Sequence, residues 1–340
     1  MIDKMWASSY CTSKSLVAYL LTFIVVYNLA NIIWISTYQM NDSLSSTIFR
    51  ETNADPLSFW EEAIQKADEL LSDDSNTQDI ASCLVPNTER TIALLERNNN
   101  NNNNNKMTVS NAPLVSLPVL NMGMPKCGSS SLFEFFECVG MQSTHHLVHQ
   151  TEFEGVCMRD AARAGLPPIE TCASGKDALL QIDAEIPFGY VFGKTRSNLK
   201  RDDCFLPQLS LLQEIHNEVP NATFVLNFRP VKDWIRSIKG WVDLLNRFQK
   251  CHLPNLPRGN PKDINNDTEV TESLTRLFCS HVIHLRSFVE LHPSHALIEL
   301  DLYDTKTSGL VMDSIFPSGN NNTCWGHANK SKGTKKNATK

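Results

Sequence analysis

The residues with the most chemical promise sit in one short loop, GMPKCGSSS, at positions 123–131. Gly123 and Gly128 are separated like the two glycines of the phosphate-cradling loop G-x-x-x-x-G-K-[ST], but Ser129 stands where that loop carries its lysine. The lysine lies inside the loop, at Lys126. In nucleoside triphosphatases the lysine follows the second glycine so that it reaches the outer phosphates, and the Ser or Thr after it holds Mg²⁺. Its forward displacement argues against that reaction and leaves the anion cradle intact. Backbone N–H groups of the loop, the N-terminus of the following helix and the hydroxyls of Ser129, Ser130 and Ser131 all donate to an anion.

Such a loop needs a strand to deliver it and a helix to end it. SLPVLNM (116–122) has the short apolar character of a buried strand, and SSSLFEFFECV (129–139) has helical spacing in Leu132, Phe133, Phe136 and Val139. Further along, the pattern predicts helices over 206–219, 231–248 and 272–291 and strands over 222–228 and 296–302. Buried strands alternating with helices argue an α/β fold, a parallel sheet covered by helices on both faces. The chain has 340 residues, 41% apolar and 20% charged, as in a folded protein. An apolar N-terminal run, an acidic stretch and eight asparagines at 98–105 reduce the usable length to one catalytic-sized domain.

LNMGMPKCGSSSL (120–132) resembles the 5′-phosphosulfate loop of sulfotransferases that use 3′-phosphoadenosine 5′-phosphosulfate (PAPS), and in particular the Golgi type II membrane carbohydrate sulfotransferases. In that family a mid-domain strand ends at an Arg, and a Ser eight residues later joins it in gripping the 3′-phosphate. FVLNFRPVKDWIRS supplies Arg229 and Ser237 at that spacing. Arg suits the place because its planar fork chelates phosphate oxygens. A third segment, CWGHANKSKG (324–333), resembles the lysine and glycine loop that closes over PAPS, with Lys330, Lys332 and Gly333 as the matching residues, although its HAN departs from the family pattern. The resemblance implies a P-loop-containing, sulfotransferase-like fold, with PAPS as co-substrate and PAP as product. The donor would be bound by Lys126, Cys127, Gly128, Ser129, Ser130, Ser131, Arg229, Ser237, Lys330, Lys332 and Gly333. No metal is demanded, because lysine and backbone donors can carry the charge, and no His/Cys cluster has convincing zinc spacing.

Direct sulfuryl transfer needs an in-line acceptor hydroxyl, stabilisation of charge on the bridging oxygen and removal of the acceptor proton. Lys126 is the natural stabiliser. In the family the base ends the short strand after the first helix, here MQSTHH (141–146), which points to His145 or His146, with Glu152, Glu154 and Asp183 as alternatives. Cys127 reads as a free thiol filling a small space, since a disulfide there would distort the loop. Trp234 and Trp241 fit one helix face and its core, while Trp325 is left open.

Residues 16–35 carry no Asp, Glu, Lys or Arg and reach about 30 Å as a helix, enough to span a bilayer. Lys4 and Lys14 before the run, and Asp42, Arg50, Glu51 and Asp55 after it, predict a cytosolic N-terminus. The expected organisation is a cytosolic tail (1–15), a transmembrane signal anchor (16–36), a stem with a polyasparagine linker (37–112), a single lumenal catalytic domain (113–333) and a basic tail (334–340). Localisation in the Golgi membrane follows, with the membrane and a carbohydrate or glycoprotein acceptor as partners. Sequons at Asn41, Asn221, Asn266, Asn321, Asn329 and Asn337 all lie after the span. Ten cysteines suit an oxidising lumen, and with Cys11 and Cys127 set aside eight can pair in 105 ways. Net charge is +1 over 1–36, −7 over 37–112 and zero over 113–340, which offers nucleic acid no basic footprint. Two rival readings stand beside the sulfotransferase: a P-loop kinase of a small metabolite, needing a Mg²⁺-holding carboxylate, and a catalytically inactive, membrane-anchored glycan-binding protein.

Overall fold

Strand β1 (Val119–Asn121) is buried at all three residues and forms the centre of the sheet. The computed structural model describes residues 63–69, 71, 82–89, 91–92, 113–148, 152–185, 204–241, 243–250, 253, 267–317 and 324–326, which all belong to one unit, Asp55–Lys340. After β1 come α1 (Ser129–Cys138), β2 (Ser143–Thr144), β3 (Leu147–Val148), β4 (Glu152–Phe153), α2 (Glu154–Arg163), α3 (Pro168–Ala173), β5 (Ala178–Leu179), β6 (Ala184–Glu185) and β7 (Cys204–Phe205). The chain continues through α4 (Pro207–Ser210), α5 (Leu212–Glu218), β8 (Thr223–Phe228), α6 (Val231–Gly240), α7 (Leu244–Lys250), α8 (Asp267–Leu291), β9 (Ala296–Asp301) and α9 (Thr305–Ile315).

Five strands pair in the order β2-β5-β1-β8-β9, and every pairing is parallel. Alternation along the strands divides the core. Leu120, Leu179, Phe224, Leu226, Phe228 and Leu297 pack with α5, α6 and α8. Val119, Ala178, Val225, Ile298 and Leu300 meet Leu132, Phe135 and Phe136 of α1 and Met312 and Ile315 of α9. Helices on both faces of a parallel sheet match the α/β expectation. Parallel strands also bring every carboxyl end to one edge, and from β1 the chain first moves to β2 on one side and later crosses to β8 on the other. The crevice at such a reversal is where open α/β sheets bind ligands.

The edge strand β9 is covered. Glu299, 1% exposed, accepts from Arg286 Nε at 2.9 Å and Nη2 at 2.6 Å and from the Asn87 amide at 2.6 Å. Arg286 also donates to the carbonyls of Ser82 (2.6 Å) and Val85 (3.0 Å), and Thr91 Oγ1 accepts from the Glu299 amide at 3.1 Å. With the Cys83–Cys279 disulfide and buried Ala63 and Ala67, these contacts join part of the segment expected as a stem to the core of the domain.

The expectation of a membrane-anchored chain requires correction. Among the described residues no helix is long and apolar enough to cross a membrane. The longest, α8, has 25 residues, but Asp267, Glu269, Glu272, Arg276, Arg286 and Glu290 interrupt it, and its apolar residues face the core. The anchor expected at 16–36 lies outside the described residues. Single-pass type II topology, Golgi membrane localisation and the membrane as partner are therefore not retained. Of the sequons, only Asn221 falls among the described residues, on an exposed turn.

Candidate functional site

The loop leaves β1 at the carboxyl edge, and the carbonyls of residues 122–126 are all engaged. His281 Nε2 meets Met122 O at 2.6 Å, Gln208 Nε2 donates to Gly123 O at 3.4 Å and the Cys127 amide to Met124 O at 3.0 Å. Trp234 Nε1 donates to Pro125 O at 2.8 Å and Arg229 Nη1 to Lys126 O at 3.1 Å. Burial pushes His281 down to about 4, so its imidazole is neutral and can serve as donor to that carbonyl. The amides of Gly128, Ser129 and Ser130 have no acceptor among the described residues. They open α1, where a helix leaves its N–H groups unsatisfied and carries partial positive charge. Backbone amides placed in this way can donate to an anion.

Both glycines sit where a side chain would be crowded, and Gly128 also where the backbone favours glycine. A Cβ on Gly123 would lie 3.0 Å from Asn121 Oδ1, the atom that accepts from the Gly123 amide. Gly128 has φ +97°, and a Cβ there would meet Leu302 Cδ1 at 2.7 Å. Lys126 also takes a left-handed backbone, φ 71°, and its Nζ lies 3.2 Å from the centre of the Trp241 ring. Cys127 is buried and free, and burial pushes its thiol up to about 12, so it is an inert space-filler as expected.

Arg229 follows β8 directly, and its contact with Lys126 O brings together two motifs that are distant in sequence. Its Nε is buried without a partner among the described residues. Ser237 is half-buried on α6, three residues after Trp234 and four before Trp241. Helical spacing sets these three on one side, and the outer two touch the loop at Pro125 and Lys126. Trp234 is core, as expected; Trp241 is 52% exposed at the end of α6, contrary to the core expectation, because Gly240 ends the helix one residue earlier. Trp325 packs edge-on to Phe135 in the core.

His145 follows β2, and its Nε2 lies 3.3 Å from Ser129 Oγ, so that ring atom faces the cradle. His146 Nδ1 is 3.0 Å from His145 Nδ1. Burial and then the neighbouring His146 push His145 down to about 4, and burial lowers His146. His145 is therefore a neutral acceptor of protons, weaker as a base than its ordinary value near neutrality suggests. Ser129 Oγ also donates to Gln181 Oε1 at 3.4 Å, and Gln181 Nε2 to Asp183 Oδ1 at 3.3 Å. Gln208 Nε2 lies 3.5 Å from Asp183 Oδ2, linking that buried carboxylate to the loop. Glu154 is fully buried, accepts from Thr144 Oγ1 at 2.8 Å and is pushed up to about 8 by burial, so it is protonated at neutral pH. Glu152 is half-buried on β4, in register with Val148 of β3.

The structure thus gathers Lys126, Cys127, Gly128, Ser129, Ser130, Ser131, Arg229, His145 and His146 at one edge and sets Ser237 beside them. Lys330, Lys332 and Gly333 lie outside the described residues. Asn121, Gln181, Gln208 and His281 are not singled out by the sequence, since each makes at least one contact with a residue far along the chain that no local spacing encodes. Among the described residues no group of three or more His, Cys, Asp or Glu is arranged to hold a metal ion. Comparison with protein-family models, with curated proteins and with solved structures finds no match. The expected carbohydrate or glycoprotein partner accordingly has no support and is not retained.

Proposed function

We propose that the domain binds PAPS in this crevice and transfers its sulfuryl group to a hydroxyl acceptor. The observation that carries the reading is the 3.1 Å contact between Arg229 and the Lys126 carbonyl, which joins the two segments that resemble the donor-binding motifs of sulfotransferases. When bound, PAPS supplies an activated sulfuryl group on a good leaving phosphate. Amides of Gly128, Ser129 and Ser130 and the hydroxyls of Ser129 to Ser131 receive the 5′ end, and Arg229 with Ser237 the 3′-phosphate. An acceptor oxygen forms the new S–O bond as the bond to the phosphate oxygen breaks. Lys126 offsets the charge on that oxygen, and His145 Nε2 takes the acceptor proton. A polyanion bound beside His145 favours the charged imidazolium and so raises its basicity.

A second reading, a P-loop kinase, is favoured by Asp183. It is a buried carboxylate just beyond β5, the strand next to β1, tied to the loop through Gln208. The displaced lysine weighs against it.

One experiment tests both. Labelled sulfate from PAPS and labelled γ-phosphate from ATP are offered with a panel of hydroxyl acceptors, with and without EDTA, and PAP affinity is measured by calorimetry. Sulfuryl transfer insensitive to EDTA is expected, and Arg229→Ala should weaken PAP binding about ten- to hundred-fold, the loss of a charge-assisted hydrogen bond. Unchanged PAP affinity in Arg229→Ala sinks the sulfotransferase reading, and EDTA-sensitive phosphate transfer establishes the kinase.

A further inference from the structure

We propose that Trp241 is a positioning residue for Lys126, holding the ammonium at the mouth of the cradle before an anion arrives. The inference deepens the reading above, but it rests only on the loop being an anion site. Three observations converge on it. Lys126 Nζ stands 3.2 Å from the centre of the Trp241 ring, well inside cation–π range. The Lys126 backbone is fixed by other means, its left-handed φ of 71° and the Arg229 contact to its carbonyl, so the indole determines only where the side chain goes. Finally, Trp241 is 52% exposed, so core packing does not explain its presence, and it ends the same α6 face from which Trp234 grips Pro125.

A lysine side chain has four rotatable bonds and loses much rotamer freedom when it is ordered on a ligand. Resting on the indole, Lys126 has already lost part of that freedom. An ammonium carries three N–H donors, so an ammonium resting on a ring face can still turn an N–H toward a phosphate or sulfate oxygen. The ring thus raises anion affinity through the lysine without touching the anion.

The test is a double-mutant cycle on binding, with inorganic pyrophosphate and PAP as probes and circular dichroism as the check on folding. Trp241→Ala should weaken both anions about two- to five-fold, the range of an exposed cation–π contact. Trp241→Phe, which keeps a ring face, should restore most of the loss. In a Lys126→Met background Trp241→Ala should have no effect, because there is no ammonium left to position. Equal losses with and without Lys126, no loss at all, or tighter binding by Trp241→Ala would each overturn the proposal. Pyrophosphate binding without PAP binding overturns the sulfuryl-transfer reading and leaves this one standing, whereas wild-type protein that binds neither overturns both.

Discussion

His145 and Glu154 lie close in sequence, and burial shifts them in opposite directions, which gives the protein a definite response to pH. Burial lowers His145, His281 and His284 from an ordinary 6.5 to about 4. Across that window the unfolded chain binds protons that the folded chain does not, so stability rises with pH and is fully present above about 6.5. Glu154 is raised from 4.5 to about 8, by burial first and by Asp183 in addition, against the lowering hydrogen bond from Thr144. Between those values the folded state holds the proton, and stability falls as pH rises. Three histidines outweigh one carboxyl at low pH, and Glu154 dominates above it. Thermal midpoints measured from pH 5 to 8.5 should therefore peak near about pH 6.5. Glu154→Gln, which copies the protonated form, should flatten the alkaline limb and leave the acidic one. An unchanged alkaline limb would place the responsible group elsewhere.

At the scale of elements, the junction of β1, loop and α1 depends on Gly128. An L-residue at φ +97° is strained by about 1 to 2 kcal/mol, and an alanine Cβ must also displace the end of Leu302. Gly128→Ala should lower stability by roughly that amount in urea titration and weaken PAP binding as well. Adding Leu302→Ala removes the collision but not the backbone strain, so it should fail to restore binding. Full restoration would show that the loop tolerates the dihedral and that only the contact matters. The glycine spacing that made this junction legible is local, and so are the apolar runs of β8 and β9 and the helical period of α1 and α8. What was not legible is non-local or brief. Strands β2 and β5 have two residues each, too few for a period. The helix expected over 206–219 breaks at Leu211, and the one over 231–248 breaks after Gly240. The donor half of the candidate site could be read because its residues occur as short motifs. Gln208 and His281 could not, because they reach the loop from helices far along the chain, and the lowered basicity of His145 could not, because burial is not written in residue spacing.

For the molecule as a whole, Cys83–Cys279 and Cys138–Cys324 span 196 and 186 residues, and their intervals overlap. Every candidate site residue among those described falls inside one interval or the other. A single peptide-bond cleavage anywhere between residues 83 and 324 must fall within at least one of these closed loops, so the two pieces remain covalently joined. Protein nicked once between residues 83 and 324 should run on electrophoresis as one band of unchanged mass, which separates into two fragments only after a thiol reductant is added. Two fragments from such a single nick without reductant would mean that a bridge closing that interval is absent. A protease can therefore wound this protein without dividing it, and a nicked copy keeps its parts together for as long as its surroundings stay oxidising.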